Sequence, residues 1–103
     1  MVIEINDQNF NDETRTGIVL TDFWASWCGP CKMQSPVVEE LSERFSDIKF
    51  TKLNTEHNQK VATELGIKAI PTLLIKKDGV VVDRLTGFHC SEVNKLDYFY
   101  SVT

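Results

Sequence analysis

Two cysteines, Cys28 and Cys31, stand three residues apart within WASWCGPCK, the stretch from Trp24 to Lys32. Thiols at this spacing admit three chemistries: a structural staple, half of a metal site, or a couple that opens and closes a disulfide. The staple fits poorly, because a ring spanning so few residues takes little freedom from the unfolded chain. A closed zinc site wants four ligands, usually in paired short spacings. The other candidates here are Cys90, His57 and His89, with no second CxxC, so no metal is expected.

The redox reading gives the two thiols different roles. An apolar run leads directly into a helical pattern, which places Cys28 at a helix N-terminus, where unpaired N–H groups and the helix dipole stabilise an anion. The thiolate is the species that attacks disulfides, so Cys28 is the candidate nucleophile. Helix geometry sets Cα atoms at i and i+3 roughly 5 Å apart, within disulfide range. Cys31 can therefore attack a mixed disulfide made by Cys28 and release the partner reduced. Pro30 suits a first helical turn, which lacks a use for its missing N–H, and Gly29 leaves the approach to Cys28 uncluttered.

A third residue with chemical content precedes the pair by six positions. Asp22 interrupts the run Ile18-Val19-Leu20-Thr21-Asp22-Phe23-Trp24-Ala25, which otherwise reads as a strand buried on both faces. A carboxylate there is costly unless paired or neutral. The expectation is that burial raises its pKa and that it takes the proton of Cys31, through water, during resolution. Lys52, on the adjacent candidate strand, is the expected partner for its charge.

These side chains need elements to position them. Val2–Ile5 is a short β-like run, and Asp7–Asn11 offers caps for a polar helix reaching about Arg15. After the cysteines, Met33, Val37, Val38, Leu41 and Phe45 recur at helical spacing, with Pro36 expected to kink the helix. Ile48–Leu53 alternates as a strand, and Val61, Ala62 and Leu65 mark a short helix closed by Gly66. Thr72–Ile75, Asp78-Gly79 and Val80–Val82 with Leu85 read as a hairpin. From Ser91, Val93, Leu96 and Phe99 or Tyr100 trace a terminal helix. The order β-α-β-α-β-α-β-β-α predicts a parallel section joined to an antiparallel one, an α/β domain covering residues 1–103.

Composition is compatible with this. Hydrophobic residues at 42% and charged residues at 25% are ordinary for a globular chain, and no apolar run approaches the ~20 residues of a membrane span. Eleven Lys plus Arg against 15 Asp plus Glu give a net charge of −4, without the clustered cations that nucleic acid requires. No secretory signal pattern opens the chain, so the cytoplasm is expected, where a close cysteine pair is more often catalytic or redox-sensing than structural. Neither nucleic acid nor a membrane is an expected partner.

Ile70-Pro71-Thr72 is a further place for a fixed turn, and on the residues alone a trans bond is the commoner state. Read together, Asp22-Phe23-Trp24-Ala25, Trp27-Cys28-Gly29-Pro30-Cys31-Lys32, Pro36, Ile70-Pro71-Thr72, Asp78-Gly79 and Gly87 resemble the thioredoxin family, in its element order and over essentially all of the chain. The resemblance implies a thioredoxin fold, a central mixed five-stranded sheet flanked by four helices. It implies a general dithiol-disulfide oxidoreductase without a cofactor of its own. Its partners would be disulfide-containing client proteins and a flavin- and NADPH-dependent thioredoxin reductase, and a monomer is expected.

Position by position, the resemblance makes Cys28 the attacking and Cys31 the resolving cysteine, Asp22 the buried acid and Lys52 its neighbour. Pro71 becomes a cis proline facing the cysteines, with Ile70 offering backbone to an extended substrate. Trp27, Gly29, Pro30 and Gly87 become an apolar docking rim. Trp27 read alone is either motif support or a contact residue, with docking favoured; Trp24 reads as core or motif support. Three positions depart from the pattern: Gln59 replaces a proline, Thr21 replaces an aliphatic residue and would change the polarity around Asp22, and Cys90 lies outside the motif and reads as inert. Two other functions compete. An oxidase or isomerase usually carries histidine between the cysteines, where this chain has Gly29-Pro30, and a redox-independent binding module would keep its function without Cys28.

Overall fold

The computed structural model describes residues 1–88. Its elements are β1 (Ile3–Ile5), α1 (Phe10–Glu13), β2 (Ile18–Trp24), α2 (Gly29–Arg44), β3 (Ile48–Asn54), α3 (Gln59–Glu64), β4 (Thr72–Lys77) and β5 (Val80–Thr86). The order is the one expected from the sequence. The terminal helix expected from Ser91 lies outside the described residues, as do His89 and Cys90, so three of the four expected helices are seen.

The five strands form one mixed sheet in the order β1-β3-β2-β4-β5. β1, β3 and β2 are parallel, while β4 runs antiparallel to β2 and β5 antiparallel to β4. β2 takes the centre because its apolar residues suit burial on both faces. Leu20 packs with Phe50, Leu73, Ile75 and Leu85 beneath Val38, Leu41 and Phe45 on the α2 side. Phe23 packs with Ile5, Leu53 and Leu74 against Phe10 of α1 and Val61 and Ala62 of α3 on the other.

One sequence expectation about α2 is corrected. Met33 is 57% exposed, and the buried stripe runs through Cys31, Gln34, Val38 and Leu41. At ~100° per residue, Met33 stands about 140° from Val38, too far round to share its face. The phase of the helix is set by Cys31, which seats the disulfide. Pro36 faces solvent, and α2 is assigned as one helix through it.

Two loops fasten the frame. Asp78 (φ 49°) and Gly79 (φ 85°) both adopt positive φ, the signature of a type I′ hairpin. Gly17 N donates to Asp78 Oδ1 at 2.8 Å and Asp78 N donates to Gly17 O at 2.9 Å, tying the turn to the start of β2. At the start of α3, which opens on Gln59, Asp7 reaches across from the β1–α1 loop. Its carboxylate accepts from Lys60 N at 3.2 Å and Val61 N at 3.0 Å, which satisfies free N–H groups of the first turn.

Candidate active site

β2 ends at Trp24, and the segment Ala25–Trp27 carries the chain over the sheet edge to Cys28, the N-cap of α2 in extended conformation. Its Sγ accepts a hydrogen bond from Cys31 N at 3.2 Å, as a serine or aspartate oxygen would at this position. Cys28 and Cys31 are joined in a disulfide with Cα atoms 5.2 Å apart, as the helix geometry requires. Both sulfurs are nearly enclosed, at 4% and 3% residue exposure, whereas neighbouring Trp27 is 71% exposed. A Cβ at Gly29 would meet no atom within 4 Å, so packing does not require a glycine there.

The β3–α3 loop holds this segment from the side. Thr55 N and Oγ1 both donate to Trp24 O, at 2.8 and 3.1 Å. Ser26 N donates to Glu56 Oε1, and hydrogen bonding to Ser26 keeps the Glu56 carboxyl below the usual carboxylate range. Opposite the pair, the Ile70–Pro71 bond is cis, and Ile70 O lies 3.7 Å from Cys28 Sγ. In the disulfide that sulfur has no proton to donate, so this is a packing contact. Gly87 N donates to Pro71 O at 2.8 Å with φ +88°, a conformation that favours glycine.

Asp22 lies below, on the α2 face of the sheet. Register places it beside Lys52 of β3 and Leu73 of β4, with Glu4 of β1 beyond Lys52 and Leu85 of β5 beyond Leu73. Asp22 is 4% exposed, and its Oδ1 is sealed from solvent without a hydrogen-bond partner. Burial pushes its pKa up from 3.8 to about 7, and the Lys52 charge offsets part of that rise. Asp22, Lys52 and Cys31 line one cavity of about 270 Å³, together with Trp24, Ala25, Ser26, Lys32 and Ser35. Carboxyl and resolving thiol thus face a common space large enough for water.

The structure brings together Cys28, Cys31, Asp22, Lys52, Ile70 and Pro71, with Trp27, Gly29, Pro30 and Gly87 around the rim. Thr21 behaves differently from its sequence reading. It points to the opposite face, where its hydroxyl pairs with Thr51 Oγ1 at 2.8 Å, so its polarity is directed away from Asp22. Sequence reasoning missed Glu4 and Glu56, and it set Met33 on the buried stripe of α2 where the structure exposes it. The helical phase anchored on Cys31 would have exposed Met33, whereas Glu4 and Glu56 depend on strand register and loop packing that no local signal encodes. Among the described residues, no group of three or more His, Cys, Asp or Glu is placed to hold a metal ion, and no helix is long and apolar enough to cross a membrane.

A disulfide across CxxC at a helix N-terminus, facing a cis proline and standing above a buried acid, defines an α/β protein of dithiol-disulfide exchange. The family description Thioredoxin matches residues 1–98. The chain is 50% identical over 93 residues to a thioredoxin of Listeria monocytogenes, covering 89% of this chain and 90% of the relative. It is 48% identical over 92 residues to a thioredoxin of Bacillus subtilis, covering 88% of each. A crystal structure of Malassezia sympodialis thioredoxin superposes with a TM-score of 0.86 at 32% identity, covering 98% of this chain and 91% of that one. The chain belongs to the thioredoxin family, and with it to the protein-disulfide oxidoreductases.

Proposed function

We propose that this protein reduces the disulfides of a broad set of client proteins, with Cys28 as the attacking and Cys31 as the resolving thiol. The observation that carries the reading is the seat of the disulfide, with Cys28 Sγ as the acceptor that caps α2. Reduced to a thiolate, the same atom gains negative charge where N–H groups and the helix dipole favour it. It attacks one client sulfur and expels the other as a thiolate, leaving a mixed disulfide. Asp22, titrating near neutrality, takes the proton of Cys31 across the shared cavity, with Lys52 stabilising the carboxylate. Cys31 then attacks Cys28 Sγ, the protein disulfide closes, and the second client sulfur departs. Two electrons have passed from the dithiol to the client.

The rim of exposed Trp27, Gly29 and Pro30 with half-buried Gly87 receives the client, and Ile70 and Pro71 align an extended segment of it against Cys28. A thioredoxin reductase returns the two electrons from NADPH through its own flavin. The setting is the cytoplasm, and the working form is a monomer. The test is NADPH oxidation with thioredoxin reductase and insulin. Wild type is expected to turn over and Cys28→Ser to lose turnover entirely; absence of turnover by wild type with several reductases would overturn the reading.

A further inference from the structure

A second cavity, of about 100 Å³, adjoins Asp22 beside the second and third turns of α2. It is lined by Val2, Asp22, Ser35, Val38, Glu39 and Lys52. Asp22, Ser35 and Lys52 line both spaces, so the carboxyl stands between two openings. They differ in character. The larger reaches Cys31 itself and is lined by Ser26, next in sequence to Trp27 of the rim. The smaller is walled by four polar side chains out of six and has room for several waters, the conditions under which a cavity is wet. None of Trp27, Gly29, Pro30, Ile70, Pro71 or Gly87 lines either space.

α2 also supplies a track. Cys31, Ser35 and Glu39 follow at i, i+4 and i+8, which stacks them along one line ~6 Å apart per step while turning about 40° each time. Along that line the chain passes from buried Cys31 to exposed Ser35 and Glu39. The Ser35 hydroxyl makes no hydrogen bond to the described residues, so its donor and its acceptor positions are both available to water.

We propose that Asp22 releases the proton taken from Cys31 to solvent through this second opening, with the Ser35 hydroxyl as the relay, while a client covers the rim above Cys28. The inference rests on the reading of Asp22 as the base for Cys31. The proton leaves Cys31 Sγ, resides on the Asp22 carboxyl, and passes through water at Ser35 to bulk solvent, returning Asp22 to its anionic form. The groups facing Asp22 are Lys52 from β3, Lys32 and Glu39 from α2, and Leu73 from β4, with Glu4 of β1 behind Lys52. Ser35 is a positioning residue in this scheme, because it acts through Asp22.

The experiment is single-turnover reduction of insulin by excess reduced protein, quenched with acid, with the Cys28-insulin mixed disulfide followed by mass spectrometry over a range of pH. Ser35→Leu places a good helix former at an exposed helical site and closes the mouth of the cavity; Ser35→Thr keeps the hydroxyl. Ser35→Leu is expected to slow resolution about tenfold, part of the ~10²–10⁴ a general base contributes, with a shifted pH profile and an unchanged rate of Cys28 attack. Ser35→Thr is expected to match wild type. Wild-type resolution in Ser35→Leu, beside slowed resolution in Asp22→Asn, overturns the exit route alone. An unaffected Asp22→Asn overturns the base reading and the exit with it. Slowing in both Ser35 variants with an unmoved pH profile marks a structural effect and overturns the relay.

Discussion

Among the described residues, each face of the sheet buries one acidic or basic side chain, Asp22 beneath α2 and Lys76 beneath α1, and they treat it in opposite ways. Lys76 Nζ donates to Thr14 Oγ1 at 2.8 Å and lies 4.9 Å from the centre of the Phe10 ring. Thr14 Oγ1 in turn donates to Phe10 O at 2.7 Å. Burial still lowers the pKa of the amine, but a hydrogen bond and an aromatic face accept its charge. Asp22 has no hydrogen bond among the described residues and lines two cavities. A buried charge met by fixed partners serves the architecture, whereas one that faces cavities and the lysines lining them, Lys52 and Lys32, remains free to gain and lose a proton.

The sharpest way to break this comparison is Asp22→Asn. Resolution of the mixed disulfide is expected to fall on the order of a hundredfold with a flattened pH profile. The folded acid holds its proton up to about pH 7, while the unfolded one loses it near 3.8. The unfolded chain therefore binds fewer protons in that window, and stability falls as pH rises through it. The wild-type loss is on the order of 4 kcal/mol between these limits, and denaturant titrations of Asp22→Asn across the same range should lack that slope. Lys52→Met, next in size, removes the cation that opposes the rise, so the Asp22 titration seen by carboxyl NMR should move further up, by about one unit.

On the other face, Lys76→Met should leave insulin reduction unchanged and alter stability by less than about 1.5 kcal/mol, since an apolar chain of similar volume replaces a buried cation. Loss of turnover there would erase the distinction between the faces. The smallest effect tests the boundary between them. Thr21→Val removes the partner of Thr51 Oγ1 and should cost about 1 kcal/mol in thermal or chemical denaturation, with the Asp22 titration unmoved.

The chain order of the described elements was legible because its signals are local. The apolar run of β2, the Asp78-Gly79 turn and the glycine after α3 each act through their own neighbours. The CxxC pair was legible for the same reason, since three residues of helix determine its geometry. What eluded the sequence depends on registration between distant segments. Lys52 beside Asp22 was a guess about adjacent strands that the β2–β3 register supports, while Glu4 one strand further out had no sequence signal at all. Met33 was misjudged because an apolar residue next to an apolar stripe says nothing about rotation, and the disulfide sets that rotation. The direction of Thr21 followed from strand alternation once Asp22 was placed under α2.

The capping bond from Cys31 N to Cys28 Sγ carries one more consequence. The atom that exchanges electrons is also the acceptor for a backbone amide, so each change of oxidation state alters the strength of that acceptor at the first turn of α2. Isotope exchange at the Cys31 amide should therefore slow in the thiolate form. A single proton in the main chain would then report the redox state of the molecule, without a dye, a label or a partner enzyme.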